Sequence, residues 1–317
     1  YKLCCPTSQL VKPDVTGAIY RVKKVGAHKE KVASKPQPLP RLREIALKRD
    51  KAGLAEAIAA LESNNLHTRR HAAEALGRIG DKEAIVAIFQ ALTSEKNDRA
   101  LDHALTYALI EIGDAKATAR AVRCPTPRVR RAVLAALENI PNSGLEAKTV
   151  LAELDAKDAA LRETAWWIAG RHPQWGDQLA GYFTDRLKTA DKLKPEERDE
   201  LAERLTKFAK SETIQKVMGE VTADMPPATL RLILRAMARS SLKVFPDGWA
   251  KGIKQSILSS DLDVVRDAIT VVRTLPMTRD QFIAMMTTDE PKLHTFPPPG
   301  SKWPEDVMLQ LAAASHS

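Results

Sequence analysis

Two histidines and a glutamate have the spacing of a helical metal site. His67 and His71 lie four residues apart and Glu74 lies three further on, so on one helix face they could chelate a transition metal. Arg69 and Arg70 lie between the histidines, and their positive charge opposes cation binding. We therefore interpret these side chains as part of a solvated helix face, and we predict no metal site.

Three aspartates near the C-terminal end form a second cluster of potential ligands. Asp261, Asp263 and Asp267 could suggest calcium, but a calcium loop needs more oxygen ligands at close spacing and a glycine turn. Asp261 and Asp263 stand at the predicted start of a helix, where carboxylates accept hydrogen bonds from free amides and favour the helix dipole. The pattern indicates helix capping.

The three cysteines give no sign of catalysis or cofactor binding. Cys4 and Cys5 are adjacent and cannot form an unstrained disulfide. The sequence has no CxxC pair, zinc-type spacing or CxxCH haem attachment. Cys124 could act as a nucleophile only with a positioned histidine, and His103 is the nearest in sequence. Because nucleophile elbows and phosphate loops are absent too, we predict no catalytic or cofactor-binding residue.

A tandem tryptophan is the most unusual local feature. Trp166 and Trp167 are about 100° apart on a helix, so both indoles cannot enter the same core. We expect one to pack inside, while the other lines a groove with Arg162, Arg171 or Trp175. Trp and Arg dominate the energetics of protein interfaces, so these five residues are the candidate interaction surface. The alternative is a core tryptophan beside a partly exposed one.

The elements that hold these residues repeat along the chain. The stretch TRRHAAEALGRIGDKEAIVAIFQAL, residues 68–92, recurs in looser form three more times. The leading helix of each copy stops at Gly80-Asp81, Gly113-Asp114, Pro141-Asn142 or Pro173, at intervals of 33, 28 and 32 residues. A period in this range, with two helices per copy, is typical of an α-solenoid. We predict an all-α solenoid of about eight helix pairs over residues 41–286.

The two ends of the chain differ from the repeats. Residues 1–27 include an alternation of β-branched or aromatic and polar residues at 16–25, which predicts a strand remnant. Residues 28–40 are rich in lysine and proline and read as a basic linker. Residues 287–317 form a proline-rich tail, with a short capping helix predicted at 304–314.

The charge distribution argues against nucleic acid as the partner. The net charge is +9, but residues 1–50 alone carry 12 Lys/Arg and four Asp/Glu. The repeats are therefore close to neutral, whereas a phosphate-binding surface needs a concentrated positive stripe. No run of about eighteen apolar residues occurs, so we predict no membrane span.

Two resemblances place these observations in families. The pattern RRxAAEALGxIGD, followed by an amphipathic helix, resembles a HEAT repeat of the short bacterial type. This resemblance covers roughly residues 41–286 and is strongest over 65–172. HEAT repeats imply a surface for interaction and no particular reaction.

The second resemblance concerns residues 4–24. The run Cys4-Cys5-Pro6, followed by Lys12-Pro13-Asp14 and Gly17-Ala18-Ile19-Tyr20-Arg21, is similar to the closing blade of a β-propeller in large secreted proteins of planctomycetes. Those proteins resemble sugar dehydrogenases, continue into HEAT repeats and commonly end in a haem-c domain. The resemblance implies a periplasmic or secreted parent, with any quinone, calcium or haem site outside this chain.

Together these features predict a non-catalytic HEAT-repeat scaffold that binds a protein or a neighbouring domain of its own parent. The alternatives are an independent partner-binding or regulatory protein of the lyase-like type, and, less favoured by the charge, a nucleic-acid-binding solenoid.

Overall fold

The computed structural model describes residues 41–222, 224–278 and 281–282. Within these ranges all regular structure is helical, as fifteen α-helices joined by short turns, four of which form a 3-10 turn. The expected all-α solenoid is confirmed. The strand remnant at 1–27, the linker at 28–40 and the tail at 287–317 lie outside the described residues.

The helices alternate between two layers. The leading helices of successive pairs are α1 (Arg41–Lys48), α3 (Leu66–Ile79), α5 (Arg99–Ile112), α7 (Pro127–Asn139), α9 (Ala159–Ala169), α11 (Pro195–Lys207), α13 (Pro227–Arg239) and α15 (Leu262–Thr274). The second helices are α2 (Leu54–Ala60), α4 (Ala84–Leu92), α6 (Ala115–Ala119), α8 (Ala147–Leu151), α10 (Gly176–Leu187), α12 (Glu212–Gly219) and α14 (Ala250–Ile257). The described residues thus contain seven complete pairs and the leading helix of an eighth.

The helix ends follow the signals in the sequence. Gly80 and Gly113 end α3 and α5 with φ of 73° and 71°, the left-handed conformation in which glycine carries no steric penalty. Asp261 caps α15 by accepting hydrogen bonds from the N–H groups of residues 263 and 264. At α7 the start depends on Pro127 instead, because the Thr126 side chain makes no capping hydrogen bond.

Consecutive leading helices pack closely against each other at every step except one. At the step from α3 to α5, Gly77 lies so near α5 that a methyl group there would come within 3.0 Å of the Ala108 Cα. The exception is the step from α9 to α11. There the guanidinium of Arg204 lies over the ring of Trp166, 4.2 Å from its centroid, between the two helices.

The core consists of two hydrophobic clusters with different side chains. The first runs from Leu42 to Ile140, and its buried members are all aliphatic. The second runs from Leu134 to Leu275. Its buried aromatic members are Trp166, Trp175, Phe183, Phe208, Phe245 and Trp249. Helix α7 contributes to both clusters, since Leu134 belongs to the second and the rest of its buried residues to the first.

An arginine at a fixed position fastens three of the leading helices to the turn before them. In α7, α9 and α11 the fourth residue after the N-cap is arginine, and its guanidinium donates to a carbonyl oxygen of the preceding turn. The pairs are Arg130 Nη1–Cys124 O at 2.7 Å, Arg162 Nη1–Ala156 O at 2.8 Å and Arg198 Nη1–Leu193 O at 2.6 Å. These bonds satisfy carbonyls that the turns leave unpaired.

Candidate interaction site

The two adjacent tryptophans of α9 have different environments, as the helical geometry requires. Trp166 is 7% exposed, and its Nε1 donates to the Leu154 carbonyl at 3.1 Å. Its ring meets Tyr182 edge-on, with centroids 5.4 Å apart, while Arg204 covers its face. Trp166 is therefore a core residue with its polar atom satisfied.

Trp167 is the exposed member of the pair, with 46% of its surface accessible. The guanidinium carbon of Arg171, one helical turn further on, lies 5.1 Å from the centroid of its ring. This arrangement is a cation–π interaction of about 0.5–1 kcal/mol at an exposed site. The indole is thus presented to solvent in a defined orientation.

A buried glutamate on α7 holds this arrangement in place. The Glu138 side chain is only 6% exposed. Its Oε1 accepts from Arg171 Nε at 2.8 Å, and its Oε2 lies 2.8 Å from His172 Nε2. The His172 ring stacks on Trp175 at 4.1 Å, and Trp175 is itself 8% exposed. Glu138, Trp167, Arg171 and His172 together are called the Trp167 patch below.

Arg162 belongs to a separate charged cleft between α9, α10 and α11. The cleft has a volume of about 320 Å³, and Trp166 lies beside it through its contacts with Tyr182 and Arg204. Its charged and phenolic lining residues are Asp155, Arg162, Tyr182, Arg186, Glu197, Glu200 and Arg204. Three arginines thus face three carboxylates, and Arg186 pairs with Asp155 while Arg204 pairs with Glu200.

Burial alters the acid–base properties of two groups in this cleft. It raises the pKa of the Tyr182 hydroxyl and lowers the pKa of the Arg204 guanidinium, in both cases because the charged form loses hydration. The pKa of Tyr182 therefore moves away from neutrality. The cleft therefore has the character of a polar surface held by ion pairs.

The five candidate residues do not form one surface. The structure brings Trp167 and Arg171 together and connects Trp175 to them through His172 and Glu138. Trp166 is in the core, and Arg162 lies in the charged cleft. Of the five candidate residues, those that a partner could contact therefore lie in the Trp167 patch and in the cleft.

Sequence reasoning did not identify Glu138 or His172 as neighbours of the tryptophans. The available signal is the repeat period, because Glu138 precedes Arg171 by 33 residues and His172 by 34. Residues one period apart lie on adjacent leading helices. The same rule joins Asp199 to Arg235 and Arg231 to Asp267, each 36 residues apart.

The histidines and aspartates that the sequence suggested as metal ligands have other surroundings in the structure. His71 Nδ1 lies 3.6 Å from Glu74, and within the described ranges no group of His, Cys, Asp or Glu has the geometry of a metal site. Asp263 and Asp267 pair with Arg231 at 2.7 and 2.9 Å. The Asp261 side chain thus caps α15, as predicted. Asp263 and Asp267 connect α15 to α13 through their ion pairs with Arg231.

Comparison with known proteins agrees with the architecture. No curated protein matches the chain. In the part of the chain that the structure describes, no helix is long and apolar enough to cross a membrane. Residues 41–110, which span α1 to α5 apart from its last residues, match the family described as HEAT repeats, and the described residues fold as a HEAT-like all-α solenoid.

Proposed function

We propose that this chain is a non-catalytic scaffold that binds a protein, or a neighbouring domain of its own parent, through the Trp167 patch. The observation that carries the proposal is the half-exposed indole of Trp167, held under the Arg171 guanidinium. Trp and Arg are the residues most enriched among those that dominate binding energy. A large apolar ring beside a fixed cation is therefore suited to anchor a partner.

The patch is pre-organised for binding. Arg171 is fixed by Glu138 on the adjacent leading helix, and Glu138 is also bonded to His172. A partner therefore does not have to immobilise these side chains, which saves about 0.5–1.5 kcal/mol for each rotamer-rich group. The stacked pairs act geometrically, by holding the surface rigid across two repeats.

The identity of the partner is suggested by the N-terminal residues. Residues 4–24 resemble the last blade of a propeller, so we propose that the partner is a propeller-type domain of the same secreted protein. This part rests on the resemblance alone. Under it, any dehydrogenase-like chemistry with quinone, calcium or haem belongs to that parent, and this chain holds the domain in position.

Site-specific photo-crosslinking tests the proposal. A benzophenone amino acid is placed at position 167 in one variant and at position 107 in another, in the native host. Tyr107 is a matched control because it is also an aromatic side chain on a leading helix, 49% exposed. We expect one defined adduct from position 167, absent from position 107 and abolished by Glu138→Gln.

Each outcome has a distinct meaning. An adduct within the same polypeptide supports the intramolecular partner, whereas an adduct to a separate protein supports the independent partner-binding alternative. Equal labelling from both positions would refute the Trp167 patch as the binding surface. An adduct to nucleic acid whose yield falls steeply with salt would replace the proposal by the nucleic-acid alternative.

A further inference from the structure

Arg69 lies in α3 at the position that holds a turn-binding arginine in α7, α9 and α11, but it makes a different hydrogen bond. It is the fourth residue after the N-cap Asn65, as Arg130, Arg162 and Arg198 are in their helices. Those three arginines donate to the turn before their own helix. Arg69 instead reaches forward, and its Nη2 donates to the Ala91 carbonyl at the end of α4 at 3.3 Å.

This leaves a buried cation with unused hydrogen-bond donors. Arg69 is 8% exposed, and none of the described residues accepts a hydrogen bond from its Nε. No carboxylate of the described residues forms an ion pair with it, whereas Arg70 next to it pairs with Asp98. Burying a charge without a counter-charge is unfavourable because the charge loses its hydration. An anion that binds the guanidinium would therefore supply the missing counter-charge and stabilise the folded state.

Arg69 lines a cavity of about 620 Å³. This volume lies in the range of small-ligand sites. One part of its wall is aliphatic and the other part polar. The aliphatic residues are Ile58, Leu61, Leu66, Ala87 and Ala91, and the polar and charged residues are Glu62, Ser63, Asn64, Arg69, Gln90, Ser94 and Lys96.

We infer that this cavity binds an aliphatic carboxylate, with the carboxylate on Arg69 and the hydrocarbon against the apolar wall. The planar guanidinium matches a carboxylate through two parallel hydrogen bonds. Lys96 adds a second positive charge and Glu62 a negative one. The charge left for a ligand is thus close to one unit, which favours a monovalent carboxylate over doubly charged phosphate. The carboxylate can come from a free acid or from a glutamate side chain between leucines.

Calorimetry with matched ligands tests the inference on the full chain. The probes are 4-methylpentanoate, its neutral amide, the peptide acetyl-Leu-Glu-Leu-amide and inorganic phosphate. We expect the acid, the peptide or both to bind, the amide to bind at least tenfold more weakly, and phosphate to bind more weakly than the carboxylates. Binding of the acid alone identifies a free metabolite, and preference for the peptide identifies a protein segment.

Two variants at equivalent positions separate a ligand-binding role from a structural one. Arg69→Gln removes the guanidinium that has no counter-charge among the described residues, and Arg130→Gln removes the arginine at the equivalent position of α7. We expect Arg69→Gln to weaken carboxylate binding at least tenfold and Arg130→Gln to leave it unchanged. If Arg69→Gln fails to fold, an NMR titration of the native chain with 4-methylpentanoate replaces this comparison. The signal followed is the Nε–H resonance of Arg69.

Three results would overturn the inference. They are equal affinity for the acid and its amide, tighter binding of phosphate than of either carboxylate, and an Arg69 Nε–H resonance that does not move at saturating 4-methylpentanoate. Because Trp167 lies outside this cavity, loss of carboxylate binding leaves the crosslinking result at position 167 unaffected.

Discussion

Residues 41–140 and residues 142–282 use the same helix-pair architecture with different packing. In the first region, small and aliphatic side chains fill the core, and α3 and α5 approach closely at Gly77 and Ala108. In the second region, large aromatic rings join the aliphatic side chains in the core. There α9 and α11 stand further apart, with the Trp166 and Arg204 side chains between them.

The difference shows where a repeat protein gains distinctive surface. Small side chains allow neighbouring helices to pack at one spacing, and the surface then repeats with the sequence. Large side chains need more room, so the spacing changes and a cleft forms beside Trp166. The exposed Trp167 is on α9, one of the two helices of the wide step, and the charged cleft lies beside that step.

The largest expected effect is from a charge placed in α7, the helix that both clusters share. Ala136 is fully buried, and an unpaired buried carboxylate costs about 3–5 kcal/mol. We expect Ala136→Asp to lower the free energy of unfolding by that amount and to expose the chain to protease near Pro141. The control is Ala135→Asp, at a partly exposed neighbouring position. Unchanged melting and proteolysis of Ala136→Asp would show that α7 is assigned the wrong buried face.

Truncation of an aromatic ring should affect the second region alone. Phe208 is fully buried, and its ring lies 5.9 Å from that of Phe183. We expect Phe208→Ala to cost about 3–5 kcal/mol and to raise hydrogen exchange in residues 142–282 while residues 41–110 stay protected. Leu109→Ala, in the first cluster, should give the reverse distribution. Equal loss of protection across both regions in either variant would mean that they unfold as one unit.

Glycine-to-alanine substitutions should change stability differently at the close α3–α5 step and at the wide α9–α11 step. A Cβ at Gly77 meets the Ala108 Cα at 3.0 Å, and backbone cannot move aside cheaply, so Gly77→Ala should cost about 1–3 kcal/mol. A Cβ at Gly170 meets the flexible Lys207 side chain of α11 and the Trp166 carbonyl oxygen of its own preceding turn, each at 3.3 Å. Gly170→Ala should therefore be neutral or stabilising, through helix propensity worth up to about 1 kcal/mol. Equal losses in denaturant titrations would contradict the difference in spacing.

The smallest expected effect is on acid sensitivity. Asp98 caps α5, and the hydrogen bond from the Leu101 N–H, aided by Arg70, lowers the pKa of its carboxyl group. A lowered folded-state pKa stabilises the fold above the unfolded value of about 3.9, and this stability is lost as the pH falls through the folded pKa. We expect Asp98→Asn to narrow the difference in stability between pH 7 and pH 3. The control is Asp185→Asn, which removes a carboxylate that pairs with nearby Lys188. If both variants narrow the stability difference between pH 7 and pH 3 equally, the Asp98 cap has no specific role in it.

The repeats could be predicted from the sequence because their signals are local. Gly80 and Gly113 end helices for steric reasons that act within one turn, and both adopt the expected conformation. The separation of Trp166 from Trp167 follows from helical geometry alone. The order of α1 to α15 was therefore readable before any contact was known.

The contacts of the site could not be predicted in the same way. The bonds from Glu138 to Arg171 and His172 join residues 33 and 34 apart, and they depend on how α7 and α9 are spaced. The wide step from α9 to α11 depends on the sum of several side-chain volumes. The match to HEAT repeats covers residues 41–110, which lie in the first region.

Native-state hydrogen exchange of the unmodified chain tests the central claim, that one solenoid contains a closely packed step from α3 to α5 and a wide step from α9 to α11. Because closely packed helices open less often, we predict slower exchange for the amides of α3 and α5 than for those of α9 and α11. We also predict that, among the leading helices, protection is lowest at α9 and α11. Equal protection in the four helices, or greater protection of α9 and α11, would contradict the account.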